Sequence, residues 1–148
     1  MGDPSGDLDG MSAGRNNAST QVSVTSLRPL LSVRRGAAAV AFYRAAFGAE
    51  ERSRFTDAEG NIVAMLSIGD AALIVADEAP EHDNLSPEAL GGTTVRIGLE
   101  VTDPDAVFAR AIRAGGREVF PVDDQSWGLR QGRLVDPFGH HWLVGRPL

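Results

Sequence analysis

The 148 residues include no cysteine. Disulfides, thiolate nucleophiles, zinc sites of the Cys type and iron–sulfur clusters are thereby excluded together. Basic charge is also scarce: 14 Lys plus Arg face 20 Asp plus Glu, a formal net charge of −6, which argues against a charge-driven nucleic-acid binder. Long apolar runs are missing too. Stretches such as Ala71–Ala76 fall far short of the roughly 20 residues that cross a bilayer, so no membrane span is expected. Residues 1–21 are rich in Gly, Ser, Asp and Asn and have neither the basic start nor the apolar run of a secretory leader. They read as a disordered tail, with Met11 as a second possible start, and a cytoplasmic protein is the expectation.

The whole chain is 43% hydrophobic, enough for one core of ordinary size. Apolar residues from Leu27 to Val33 suggest a strand. Ala39, Val40, Tyr43, Ala46 and Phe47 then recur at helical spacing, and Gly48 ends that helix. Three short apolar segments follow, broken at Asp57–Asn61 and at Gly69-Asp70, both turn chemistry. After a polar loop the same order returns. Val95, Ile97, Leu99 and Val101 alternate with Arg96, Gly98 and Glu100, a strand with one apolar and one polar face. Thr102 and Asp103 offer a cap to a helix with Pro104 at its first position, and Gly115-Gly116 closes it. The spans 118–122, 129–135 and 141–144 then read as strands.

A shift of 68 positions, the distance from Arg28 to Arg96, also superposes Leu31 on Leu99, Val33 on Val101, Ala38 on Ala106, Ala41 on Ala109, Ala46 on Ala114, Gly48 on Gly116 and Glu50 on Glu118. This many identities in one short window mark an internal repeat. The expected organisation is a tail over 1–21 and one domain over 22–148. That domain holds a first module at about 22–77, a linker at 78–92 and a second module at 93–148.

The phrases FYRAAFGAE (Phe42–Glu50) and DPFGHHW (Asp136–Trp142), with Trp127-Gly128 before the second, resemble the glyoxalase/bleomycin resistance/dioxygenase superfamily, also called the vicinal oxygen chelate fold, and within it the PhnB-like branch. The resemblance implies an α+β protein of two tandem βαβββ modules whose mixed sheets form a cup around a small-molecule ligand, usually as a homodimer. Metal-using relatives carry ligands on the first and last strand of each module. Those positions fall here on Arg28, a position near Leu73, Arg96 and Leu143. Arg offers only donors and Leu offers neither donor nor acceptor, so this set does not suit a divalent ion.

Function is therefore expected of other groups. Arg28 and Arg96 are candidates to hold an anionic or polar ligand by fixed charge; the competing reading pairs each with an acid such as Glu100 or leaves it in solvent. Glu100 and His141 are weak candidates for a proton-transfer pair, against an ion-pair role for Glu100 and a packing role for His141. Trp127 is a candidate stacking surface, or else packs its loop onto the cup edge. Phe55 and Met65 are candidate wall or core. His140 and Trp142 should face away from His141, and Asp136–Gly139 reads as a turn in which Asp136 bonds its own backbone. No phosphate loop, nucleophile elbow or Ser/His/Asp arrangement stands out.

The expectation is a metal-independent small-molecule binding protein, of the antibiotic-sequestering kind or a relative of it, with no cofactor and no nucleic-acid or membrane partner. The alternatives are a lyase, isomerase or dioxygenase that recruits a divalent metal from positions outside this set, and an interaction module whose cup is filled by its own side chains.

Overall fold

The computed structural model describes residues 22–148; the tail and Met11 lie outside the described residues. Strand β1 (Leu30–Val33) leads into helix α1 (Gly36–Phe47) and strands β2 (Glu50–Thr56), β3 (Ile62–Ile68) and β4 (Ala71–Asp77). A 3-10 turn (Pro80–His82) and a short helix α2 (Pro87–Leu90) lie between the halves. The second half repeats the order with β5 (Arg96–Glu100), α3 (Pro104–Ala114), β6 (Arg117–Asp124), β7 (Leu129–Val135) and β8 (His141–Pro147). Two four-stranded sheets result, ordered β1-β4-β3-β2 and β5-β8-β7-β6. In each, the first strand runs parallel to the last and the remaining pairs are antiparallel. The architecture is α+β, as the resemblance implied, and its two halves follow the repeat.

Local chemistry accounts for the helix ends. Gly48 takes φ 68°, the left-handed conformation that a Cβ disfavours, and its N–H closes the last turn of α1 onto Arg44. Asp103 accepts from the Ala106 N–H while Pro104 occupies the first turn of α3. No residue beside α1 caps it by side chain. Asp77, at the end of β4, does so from a distance: its Oδ1 accepts from Gly36 N at 2.7 Å and its Oδ2 from Ile62 N at 2.7 Å.

Strand alternation divides each sheet into a helix-covered face and an open face. Leu31, Val33, Ala64, Leu66, Leu73 and Val75 are buried on the helix side with Val40, Tyr43 and Ala46 of α1. Leu134, Trp142 and Val144 of the second sheet join the same core. Burying each large member contributes roughly 1.5–3 kcal/mol. Leu73 itself thus belongs to the core, and the equivalence near it falls on a flanking residue. Leu30 pairs with Ile74 as Gly98 pairs with Leu143, which puts β4 one residue out of step with the repeat. Ala72 and Ile74, flanking Leu73, face the open side.

The two halves meet through α1 and α3 and through His140, whose Nε2 lies 3.0 Å from the Ser32 carbonyl oxygen. No helix among the described residues is long and apolar enough to cross a membrane.

Candidate functional site on the open face

Pairing registers generate the open face of the second sheet row by row. Arg96, His141, Val135 and Arg117 lie side by side across β5, β8, β7 and β6. Gly98, Leu143, Arg133 and Phe120 form the next row, and Glu100, Gly145, Gln131 and Asp123 the one after. The face is therefore cationic at one end, carries Arg133 beside the apolar Leu143 and Phe120 in the middle, and is mixed at the other end. A cavity of ≈ 240 Å³ lies between the middle row and the mixed end, lined by Gly98, Leu143, Glu100, Gln131, Gly145 and Arg146 among others.

Arg133 points its Nε at His141 Nδ1, 3.1 Å away. That bond needs the Nδ1 lone pair and so holds His141 as the neutral imidazole. Consistently, burial first, and then the charges of Arg133 and Arg117, push the His141 pKa below its ordinary 6.5. A base with a depressed folded pKa contributes stability that is fully present above its unfolded value and is lost as pH falls through the folded value. Replacing Arg133 with alanine should raise the His141 pKa partway toward 6.5, because burial still acts. A histidine-resolved NMR titration checks this, and an unchanged or lower value would contradict the coupling.

The sequence candidates fall as follows. Arg96 joins the cationic row, whereas Arg28 precedes β1 and is exposed. Among the described residues neither Arg28, Arg96 nor Glu100 forms an ion pair, so the pairing of either arginine with Glu100 is not what the structure adopts. Glu100 is exposed and shares the open face with His141, but their rows lie four residues apart along the strands, on the order of 13 Å. The two do not share one proton. Trp127 is 57% exposed, donates its indole N–H to Gln131 Oε1 at 3.1 Å and meets Phe120 edge-on at 6.5 Å. It stands at the rim of the open face. Phe55, 67% exposed, and Met65 share the open face of the first sheet with Ile74 and Val63 and belong to no core.

Arg117, Arg133, Gln131 and Phe120 escaped the sequence reading. The signal of Arg117 and Phe120 is weak because β6 slips register twice, between Glu118 and Phe120 and again before Asp123. Period-two alternation does not survive such bulges.

A divalent metal fits this face poorly. The ligand-equivalent positions hold Arg28, Ala72 or Ile74, Arg96 and Leu143, and none supplies an acceptor for a cation. His141, the one imidazole of the face, spends Nδ1 on Arg133. Among the described residues no three His, Asp or Glu side chains gather as a metal would require.

Comparison with known proteins adds three findings. Residues 24–144 match the model of the Glyoxalase/Bleomycin resistance protein/Dioxygenase superfamily. An uncharacterized protein of Mycobacterium tuberculosis is 42% identical over 127 residues, covering 83% of this chain and 75% of its own. Among solved structures, a gene product of Arabidopsis thaliana superposes with TM-score 0.69 at 26% identity, covering 84% of this chain and 100% of that one. TioX from Micromonospora sp. ML1 superposes with TM-score 0.65 at 28% identity, covering 83% and 100%.

Proposed function

Since the chain belongs to the Glyoxalase/Bleomycin resistance protein/Dioxygenase superfamily, we propose that it keeps the small-molecule role of that scaffold without a metal, as a binding protein of the sequestering kind. The observation that carries this reading is the donor chemistry of the open face: guanidinium and hydrocarbon groups stand where a chelating ion would need lone pairs. The fold alone does not choose between binding and catalysis, since one scaffold hosts both. The donor chemistry of the open face supports binding.

The cavity over Gly98 and Leu143 and the exposed indole of Trp127 support a ligand with a flat apolar body. Assignment to the PhnB-like branch is supported by the two phrases Phe42–Glu50 and Asp136–Trp142. The modules at about 22–77 and 93–148 each contribute one sheet. A homodimer is supported by the apolar open face of the first sheet, where Leu30, Phe55 and Val63 are exposed. A cytoplasmic location is part of the same proposal.

The test is a thermal-shift titration of chelator-treated protein with manganese, iron, nickel and zinc salts. We expect no saturable stabilisation. A shift that saturates as mass action requires would overturn metal independence and favour the metal-dependent lyase, isomerase or dioxygenase reading.

A further inference from the structure

We infer that the cationic end of the second sheet is an oxyanion site, in which Arg96, Arg117 and Arg133 hold the carboxylate or phosphate of a ligand whose flat body crosses Gly98 toward Trp127. This rests on the metal-independent binding reading and adds the ligand class.

Charge is the first observation. Arg34, Arg35, Arg52, Arg54 and Arg130 all pair with carboxylates, as expected in a chain with 20 acids and 14 bases. Eight other described arginines have no such partner, and of these Arg96, Arg117 and Arg133 come from three strands onto one face. Three guanidiniums on one face without a counter-charge, Arg96 and Arg117 from its outer strands and Arg133 between them, repel one another, and an oxyanion that accepts their forked donors relieves this.

The second observation is Gly98. Glycine inside a strand costs about 0.5–1 kcal/mol relative to alanine, and it usually marks a bulge, a bend or the close approach of another group. Gly98 has no positive φ, and a Cβ built there meets nothing within 4 Å. Neither backbone conformation nor packing within the chain calls for glycine. What its bare backbone does is keep the cavity floor open beside Leu143. Gly145 on the same floor differs, since a Cβ there would lie 2.7 Å from the Arg130 carbonyl oxygen.

The third is Trp127. With its N–H tied to Gln131 and its edge against Phe120, the ring is held at the rim with a face free for stacking.

The probes are naphthoate, naphthyl phosphate and the neutral naphthalenemethanol, titrated calorimetrically into the chelator-treated full chain, with indole fluorescence as a second readout. Both anions should bind, the alcohol about tenfold more weakly, and added salt should weaken only the anions. R96A and R133A should each lower anion affinity about tenfold, the scale of one charge-assisted hydrogen bond, and leave the alcohol unchanged. G98V should abolish binding of all three with an unchanged melting midpoint, because its side chain enters only the cavity.

No binding of either anion, an alcohol that binds as tightly as the anions, or unaltered anion affinity in both arginine variants would overturn the oxyanion site. So would wild-type affinity in G98V. If the alcohol binds as tightly as the anions, small-molecule binding stands and only the ligand class falls. Binding that the chelator abolishes would instead bring down the metal-independent reading.

Discussion

Replacing Asp136 with alanine is expected to destabilise the fold by about 4 kcal/mol, within the range for breaking a buried charged network. The Asp136 side chain is 3% exposed and accepts four hydrogen bonds. Oδ2 takes the Tyr43 hydroxyl at 2.6 Å and the Trp142 indole N–H at 2.9 Å. Oδ1 takes the backbone N–H groups of Phe138 at 2.9 Å and His140 at 3.1 Å. Truncation leaves all four donors buried without an acceptor, and each orphan costs roughly 1–3 kcal/mol. Tyr43 does not escape by ionising: burial, the largest of the causes that push its pKa well above the ordinary value of 10.0, remains when the Asp136 charge and hydrogen bond are gone. Tyr43→Phe, which removes one donor and orphans nothing, should cost about 1 kcal/mol. Urea denaturation followed by circular dichroism measures both. An Asp136→Ala midpoint close to wild type would show that water enters and satisfies the donors.

Trp142→Ala is expected to cost about 3–5 kcal/mol, as for other buried aromatics cut to alanine. Trp142 is 1% exposed, with its ring 4.6 Å from that of Phe47 and 5.4 Å from that of Tyr43. Both partners lie on α1, whereas Trp142 lies on β8. The loss is therefore a cavity at the junction of the halves and not within one of them. Trp142→Phe keeps much of the volume and removes the N–H to Asp136, so a smaller loss is expected. Because Trp142 and Asp136 touch, the double variant Asp136→Ala/Trp142→Ala should lose less than the two single losses together. Strict additivity in denaturation would contradict the shared network.

These two variants explain why two separate phrases of the sequence occur together. Tyr43 belongs to the first, and Asp136 and Trp142 belong to the second. In the fold they form one buried cluster, with Phe138 edge-on to Phe42 at 6.3 Å and Arg35 stacked over the Phe138 ring at 5.0 Å. The turn role of Asp136 was legible from Asp-Pro-Phe-Gly. Its second oxygen, which reaches Tyr43 across the molecule, was not, because sequence spacing carries no information about contacts between residues so far apart.

The order of strands and helices was legible for local reasons. Gly48, Asp103-Pro104 and the Asp57–Asn61 turn are strong short-range signals, and each stands where the chain changes direction. The faces were legible where strands are regular, as for Arg96, Gly98 and Glu100. They were lost where a bulge intervened, which hid Arg117 and Phe120 on β6, and a one-residue offset on β4 left the equivalence only as a position near Leu73. A slip of one residue exchanges the two faces of a strand, so such errors move a residue from site to core outright. Arg133 lies on a regular strand and was missed for a different reason. Its partner His141 comes from the neighbouring strand, and the pairing register is a property of the folded sheet.

Under the proposed metal-free binding, guanidinium and hydrocarbon groups stand on the open face where a metal would need ligands. Elemental analysis of untagged protein, purified without chelator or affinity metal, tests it most directly. The account predicts that manganese, iron, nickel and zinc stay far below one ion per chain, because donors alone do not coordinate a cation. A stoichiometry near one ion per chain, lost on chelation together with thermal stability, would contradict it.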